Sequence, residues 1–95
     1  MHIEFKHEDF GKRGLFLVYV DGVEAGEMSY VHAGPHKIII DHTGVMPAFE
    51  GQDIGKALVM EGARYAREND LKVVPSCPFA RAMFNRIDSI KDLLV

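Results

Sequence analysis

The fold of this chain is decided by residues 45–58, whose sequence is VMPAFEGQDIGKAL. The stretch joins an apolar segment that ends at Val45 to an amphipathic segment that runs to Glu68. Gly51 and Gly55 let a ligand approach the backbone closely. The unpaired N–H groups and the dipole of a helix start attract an anion. A strand, a glycine loop and a helix in this order therefore indicate a site that suits a diphosphate.

Taken alone, the loop does not separate a ligand site from a structural turn, which is the commoner role of two glycines at a helix start. The G-x-G-x-x-G spacing of dinucleotide-binding folds is absent. The tripeptide Gly55-Lys56-Ala57 also lacks the hydroxyl residue that ends a P-loop. The elements on either side of the loop must therefore decide its role.

Upstream of the loop the sequence predicts four antiparallel strands. They cover residues 2–7, residues 15–20, a third segment that begins at Val23, and residues 37–45, with a loop at 8–14 and a turn at 33–35. The apolar run 15–20 is continuous, as expected of a strand covered on both faces. Asp21-Gly22 predicts a hairpin turn, because both positions need positive φ. The apolar alternation slips at Gly26-Glu27, which predicts a β-bulge there.

Downstream the sequence predicts a helix from about Gln52 to Glu68, with small residues along its apolar stripe that suit close packing on a sheet. A fifth strand at 71–74 stops at Pro75. Pro78 starts a short helix that continues over 79–86, and 87–95 forms another helical segment. Strand four, helix and strand five make a crossover unit, so strand five runs parallel to strand four. The predicted fold class is α+β, with a mixed, mostly antiparallel five-stranded sheet, one long helix and short C-terminal helices.

Composition narrows the classes of function. The 95 residues suffice for a single domain spanning 1–95. Net charge is −3 with no basic run, which argues against a nucleic-acid partner. No stretch reaches the ~20 apolar residues of a membrane span, and the first residues do not resemble a secretory signal, so a cytoplasmic location is expected. The single cysteine excludes an internal disulfide and a multi-cysteine zinc site. We expect a monomer or a weak homodimer.

Several motifs resemble those of the GNAT acetyltransferases. Gln52-x-x-Gly55-x-Ala57 is similar to the Q/R-x-x-G-x-G/A motif that opens the helix after strand four in that superfamily. Together with residues 63–69 and 74–80, it resembles the short YjdJ-type subfamily. Members of that subfamily lack the two helices that other GNAT proteins insert between strands one and two, and the loop at 8–14 is too short to hold them. The resemblance covers nearly the whole chain.

The resemblance implies a minimal GNAT fold that binds acetyl-coenzyme A as co-substrate, without a metal. The backbone near His42, with Thr43, Gly44 and Val45, would pair with the pantetheine arm, which lies where strands four and five splay apart. The diphosphate would be held by Glu50, Gly51, Gln52, Asp53, Ile54, Gly55 and Lys56, with Phe79 and Arg81 flanking the pantetheine and the phosphate end. Two residues depart from the pattern. Asp53 stands where many relatives have glycine, and Gly44 stands where relatives often have glutamate.

Two residues are candidates for catalysis. Cys77 follows strand five and precedes a helix, whose amino end favours a thiolate; it is either an acetyl-accepting nucleophile or a packed apolar residue. His42 lies near the end of strand four, in phase with Ile38 and Ile40, and is either a base for the acceptor amine or a packed strand residue. The other four histidines are predicted to be surface residues: His2, His7, His32 and His36.

Three functions remain open at the level of sequence. The first is an N-acetyltransferase that acts on a small molecule or on an exposed protein amine. The second is a non-catalytic acyl-coenzyme A binder or sensor, which the departures at Gly44 and Asp53 favour. The third is an interaction module whose glycine loop is only structural. The identity of the acceptor is not encoded in any motif.

Overall fold

The computed structural model describes all residues from Met1 to Val95 and contains one five-stranded sheet in the order β1-β2-β3-β4-β5. The strands are β1 (Ile3–Asp9), β2 (Arg13–Val20), β3 (Val23–His32), β4 (Lys37–Val45) and β5 (Lys72–Pro75). The helices are α1 (Ile54–Glu68) and α2 (Pro78–Arg86), with 3₁₀ turns at Pro47–Phe49 and Asp88–Leu93. The predicted α+β fold class is confirmed.

Strands β4 and β5 diverge at their carboxyl ends. Strands β1 to β4 pair antiparallel in chain order, whereas β5 lies parallel to β4 and the pairing ends at Ile40 and Pro75. The N–H groups of Ser76 and Cys77 both donate to the Ile40 carbonyl oxygen, at 2.9 and 3.2 Å, which turns the chain away from the strand. The part of β4 from Asp41 to Val45 therefore has no strand on the side away from β3.

The turns between the first strands follow the sequence only in part. The hairpin predicted at Asp21-Gly22 is confirmed, with φ of 49° and 83° at the two residues. The first connection is shorter than predicted, because β1 continues to Asp9, which pairs with Gly14 of β2. The last residues of β1 are polar on both faces of the strand. A ladder of backbone hydrogen bonds does not need apolar side chains, so the alternation that marks the strand stops before the strand does.

The bulge predicted at Gly26-Glu27 is misplaced by one residue. Gly26 of β3 has a regular partner in β2, and the next pair in the ladder joins Tyr19 to Glu24. Ala25 is therefore the extra residue of the bulge. It is fully buried.

A second bulge, which the sequence does not signal, lies at Asp41 of β4. Tyr30 of β3 opposes Ile40, but the next residue, Ser29, opposes His42. The extra residue reverses the inward and outward alternation for the rest of β4. The prediction that His42 stays in phase with Ile40 is therefore wrong: His42 shares the face of Ser29, and its side chain is 59% exposed.

The helices cover only one face of the sheet. Phe16, Val18 and Val20 of β2 are at most 4% exposed, whereas the residues between them are half-buried. The prediction that β2 is covered on both faces is wrong, because α1 and α2 pack with the inward residues and no element covers the other face. A continuous apolar run does not distinguish a strand covered on both faces from a strand covered on one. Leu, Val and Tyr also occur on a half-exposed sheet face.

Close packing of α1 on the sheet depends on the small residues in its apolar stripe, as predicted. Leu58 and Ala66 are fully buried. A Cβ atom on Gly62 would lie 2.5 Å from the Met28 Cε atom of β3, closer than packed atoms allow. Gly62 thus leaves room for the end of the Met28 side chain between helix and sheet.

The helix boundaries differ from prediction at the start of α1. Asp53 has φ of 61° and ψ of 25°, a left-handed conformation that ends the loop, so α1 begins at Ile54 rather than Gln52. Strand β5 is shifted by one residue and keeps Pro75 as its last member. The final segment, predicted to be helical, forms a 3₁₀ helix at Asp88–Leu93. None of the helices has the length and apolar character needed to cross a membrane.

A polar cluster connects β1, β3 and α1 at the end of the sheet far from the start of α1. The Asp9 Oδ2 atom accepts from the Tyr30 hydroxyl at 2.8 Å and lies 2.6 Å from His32 Nε2. His7 Nε2 lies 2.6 Å from the Tyr30 hydroxyl oxygen, and the His7 ring stacks on Phe16 with centroids 4.1 Å apart. Both histidines, predicted as surface residues, are thus part of a bonded network.

The cluster shifts three pKa values. The hydrogen bond from His32 lowers the pKa of the Asp9 carboxyl. Removal from water lowers the pKa of His7 below its ordinary 6.5, and burial raises the pKa of Tyr30. The native cluster therefore favours an ionised aspartate beside a neutral His7 ring.

Candidate functional site

A cleft of about 580 Å³ lies between the end of β4, the start of α1 and one side of α2. Its floor and walls combine backbone at the glycine loop with apolar side chains from both helices and the 3₁₀ turn. The lining residues are Val45, Phe49, Glu50, Gly51, Asp53, Ile54, Gly55, Lys56, Phe79, Met83, Arg86 and Ile87. A concave, largely apolar site with a few polar groups is typical of small-molecule binding.

The amino end of α1 presents unpaired donors to this cleft. The first hydrogen bond of the helix runs from the Ala57 N–H to the Asp53 carbonyl oxygen at 3.0 Å. The N–H groups of Ile54, Gly55 and Lys56 therefore have no acceptor within the helix. The Asp53 side chain does not cap them. Three free amide hydrogens and the positive end of the helix dipole make this position suitable for a phosphate group.

The conformation of Asp53 explains one departure from the GNAT pattern. Its φ of 61° lies in the left-handed region, which favours glycine and which aspartate tolerates better than most residues. The requirement at this position is thus a backbone conformation, which an aspartate meets. Its carboxylate nevertheless lines the cleft.

Opposite charges meet in the cleft. Glu50 and Asp53 contribute negative charge to its lining, and Lys56 and Arg86 contribute positive charge. Arg81, which the resemblance places at the phosphate end, instead donates from Nη2 to the Ser76 carbonyl oxygen at 3.0 Å and does not line the cleft. The cations available to an anionic ligand are therefore Lys56 and Arg86.

Phe79 of α2 lies against the first turn of α1. Its ring occupies the space that a side chain on Gly55 would need, because a Cβ atom there would lie 2.6 Å from the Phe79 Cζ atom. The ring is 39% exposed and forms part of the cleft wall. Gly55 therefore serves both close helix packing and access to the amide groups of the first turn.

Cys77 caps α2 next to the cleft without lining it. Its Sγ atom accepts from the Ala80 N–H at 3.3 Å, as an N-cap residue does, and lies 3.4 Å from the Thr43 hydroxyl. Thr43 reaches the sulfur because the bulge at Asp41 turns it toward the helix face. Cys77 is 8% exposed, and the cleft residue Val45 lies two positions beyond Thr43 on the same face of β4.

His42 and Gly44 lie on the opposite face of β4. A Cβ atom on Gly44 would be 3.1 Å from His42 Nε2, so the imidazole extends over the glycine. The Oε1 atom of Glu27 is 3.7 Å from the same nitrogen. Cys77 therefore lies on the helix face beside the part of β4 that β5 leaves open, whereas His42 lies on the other face of β4 and extends toward Glu27 of β3.

The structure brings most of the predicted cofactor residues together at the cleft. Eight line it: Val45, Glu50, Gly51, Asp53, Ile54, Gly55, Lys56 and Phe79. Four do not: Thr43, Gly44, Gln52 and Arg81. Sequence reasoning missed Phe49, Met83, Arg86 and Ile87. The i, i+4 spacing of Phe79, Met83 and Ile87 along the second helix was the available signal for the apolar part of this wall.

Comparisons with known proteins agree with this geometry. The family model of the GCN5-related N-acetyl-transferases matches residues 15–93. The solution structure of a GCN5-like candidate N-acetyltransferase from Staphylococcus aureus is 33% identical, with a TM-score of 0.75, and the match covers 97% of this chain and 87% of that one. No protein in the curated collection matches the chain.

Two further structures share the fold. The ribosomal-protein-alanine N-acetyltransferase of Brucella melitensis is 25% identical with a TM-score of 0.67, and the match covers 81% of this chain and 62% of that one. AAC(6')-Iy, solved with a bisubstrate analogue that contains coenzyme A, has a TM-score of 0.67 at 10% identity. That match covers 90% of this chain and 89% of the other.

Proposed function

The chain belongs to the GCN5-related N-acetyltransferase family, and from this premise we propose that it transfers an acetyl group from acetyl-coenzyme A to an amine. The observation that carries the proposal is the cleft where the unpaired amide end of α1 meets the free edge of β4. A diphosphate and an extended amide-containing arm are the two parts of coenzyme A that such a cleft would hold.

The diphosphate would bind at the first turn of α1. The N–H groups of Ile54, Gly55 and Lys56 lack intrahelical acceptors and would donate to its oxygens. Lys56 and Arg86 would supply positive charge from two sides of the cleft. Glu50 and Asp53 oppose this attraction, so we expect a weaker affinity than the amide geometry alone would give.

The pantetheine arm would lie along the outer edge of β4. Its amide groups would pair with backbone groups between Ile40 and Val45, where β5 has already turned away. This is the binding mode in which a ligand adds a strand to an open sheet edge. The thioester would then lie on the side of Val45 away from the start of α1, near Cys77 and Thr43.

Two routes of transfer are compatible with this arrangement. In the first, the Cys77 thiolate attacks the thioester carbonyl, a new C–S bond forms as the bond to the coenzyme A sulfur breaks, and coenzyme A leaves. The acceptor amine then attacks the S-acetyl group, the C–N bond forms and the thiolate returns. In the second, the neutral amine attacks the thioester carbonyl directly, the C–N bond forms as the bond to the coenzyme A sulfur breaks, and coenzyme A leaves as its thiolate. In both, the amine loses one proton, and His42, on the face of β4 opposite Cys77, is the proposed acceptor for it.

A second candidate function is binding or sensing of acyl-coenzyme A without transfer. The acidic side chains in the cleft and the low exposure of Cys77 favour it. Cys77 would then only cap α2.

The acceptor side is open in this structure, because no element covers the outer face of the sheet, and this openness favours a bulky amine such as one on a protein surface.

The deciding experiment is calorimetry with acetyl-coenzyme A and with free coenzyme A. We expect binding of both, and no binding at millimolar ligand would exclude the transferase and the sensor together. Thiol release in the presence of a panel of amines then separates the two. Mass spectrometry after incubation with acetyl-coenzyme A should show an acetyl group on Cys77. Unchanged turnover in Cys77→Ala would leave only the direct route.

A further inference from the structure

The outer face of the sheet holds a pair of ionisable side chains at the end of β4. Glu27 of β3 is the direct cross-strand partner of Gly44, and His42 is its diagonal neighbour. The Glu27 Oε1 atom lies 3.7 Å from His42 Nε2. Long side chains on diagonal positions of one face reach each other in this way.

Gly44 creates the space in which the pair forms. A Cβ atom at this position would lie 3.1 Å from His42 Nε2 and 3.6 Å from Cε1. A larger side chain would therefore compete with the imidazole for the surface beside Glu27. The carboxylate that the GNAT pattern often has at position 44 is absent, and a carboxylate from the neighbouring strand stands next to that position.

The face on which His42 lies is fixed by the bulge at Asp41. The Asp41 carboxylate accepts from the Ser29 hydroxyl at 2.7 Å and faces Arg13 Nη2 at 3.4 Å. These contacts tie the extra residue of β4 to β3 and β2. The bulge then places His42 opposite Ser29 instead of on the helix face.

We propose that Glu27 is a positioning residue that acts through His42 in acetyl transfer. This inference rests on the proposed function, in which His42 takes the proton of the acceptor amine. As the imidazole becomes a cation, the Glu27 carboxylate is the charged group beside it. An opposite charge 3.7 Å from Nε2 in water-like surroundings would stabilise the positive charge that develops on the ring during transfer, and would raise the rate by roughly fivefold. Both side chains are about half-exposed, so this pair adds little to folding.

The test is a double-mutant cycle on the full chain, with coenzyme A release as the assay. Glu27→Gln keeps the shape of the side chain and removes its charge, so kcat should fall about fivefold while KM for the amine stays unchanged. In a His42→Gln background the same substitution should have no further effect. Glu24→Gln is the matched control, because Glu24 is an exposed acid on the same strand without a contact to His42; its kcat should equal that of the native protein.

Two kinetic outcomes would overturn the proposal. A change in KM alone would make Glu27 a binding site for a cationic acceptor. An equal loss in the His42→Gln background would mean that Glu27 does not act through the imidazole.

A measurement on the ligand-free protein separates this inference from the proposed function. The imidazole ¹⁵N and ¹H signals of His42 should shift in Glu27→Gln and stay in place in Glu24→Gln. If the native protein binds coenzyme A without transferring an acetyl group, the proposed function fails. The ¹⁵N and ¹H signals still report whether Glu27 and His42 are in contact. Unchanged signals in Glu27→Gln would overturn the positioning role whatever the enzyme assay gives.

Discussion

Replacing Gly55 by alanine should weaken coenzyme A binding and leave the chain folded. The new Cβ atom would lie 2.6 Å from the Cζ atom and 2.8 Å from the Cε2 atom of Phe79. Ordinary contact begins at 3.4 Å, so the ring must retreat by at least the difference, 0.8 Å. The ring is 39% exposed, so it can move toward solvent instead of straining the core.

The expected energies follow from this geometry. Alanine is favoured over glycine in a helix by up to about 1 kcal/mol, which offsets part of the cost of moving the ring. We therefore expect the free energy of unfolding to change by no more than about 1 kcal/mol. The added methyl group and the ring that it displaces would together narrow the cleft beside the amide groups of the first turn of α1, so we expect a phosphate to lose contact with them. Loss of one hydrogen bond to a charged group corresponds to a roughly tenfold to hundredfold lower affinity.

Calorimetry with coenzyme A and urea unfolding of the same samples would measure both effects. Gly62→Ala is the control, since its Cβ atom would lie 2.5 Å from the Met28 Cε atom between helix and sheet, away from the cleft. It should lower stability without changing affinity. Gly55→Ala/Phe79→Ala should recover the cost of the displaced ring but not the affinity. If Gly55→Ala binds coenzyme A within twofold of the native protein, the close approach of a phosphate to this turn is wrong.

Three further predictions address charge. Asp53→Asn removes a carboxylate from the cleft while keeping a residue that tolerates positive φ; calorimetry should show a severalfold gain in affinity for coenzyme A, and a loss would place the carboxylate among the favourable contacts. Arg86→Gln should weaken coenzyme A binding and reduce its salt dependence. Arg81→Gln, which alters a cation outside the cleft, should leave the affinity and its salt dependence unchanged. Equal effects of the two substitutions would refute the role of Arg86 as the cation of the cleft. Burial lowers the pKa of His7 below 6.5, so the unfolded chain binds more protons and the free energy of unfolding should fall as the pH drops below about 7. Urea unfolding should show a shallower fall in His7→Phe, and an equal slope would exclude His7 as its source.

The sequence predicts which strands and helices form better than it predicts which face of the sheet each side chain occupies. The order of strands and helices, the Asp21-Gly22 hairpin and the parallel fifth strand all follow from local patterns that need no partner. The bulge at Asp41 follows from none of them, because its stabilising contacts come from side chains of two other strands. That single inserted residue moves His42 to the outer face and Thr43 to the sulfur of Cys77.

The candidate site likewise has one part that the sequence predicts and another that only the tertiary structure places. The glycine loop is local, since its glycines and the start of α1 lie within a few residues of each other, and the proposal of a diphosphate site there draws on those residues and on their resemblance to the GNAT motif. The opposite wall comes from α2, and its cation is Arg86 rather than Arg81. The two arginines differ by five positions, or about 140° around a helix, so only the docking of α2 against α1 decides which of them lines the cleft.

By itself, then, the sequence determined that a free helix start follows an antiparallel sheet, because hydrogen-bonding geometry and apolar periodicity are properties of contiguous residues. Tertiary structure alone decided which side chains share a surface at the end of β4: Cys77 with Thr43 on one face, and Glu27 with His42 on the other. Those pairings depend on strand register and on one bulge. Register is set by packing across the whole sheet, and a shift of one residue exchanges the two faces.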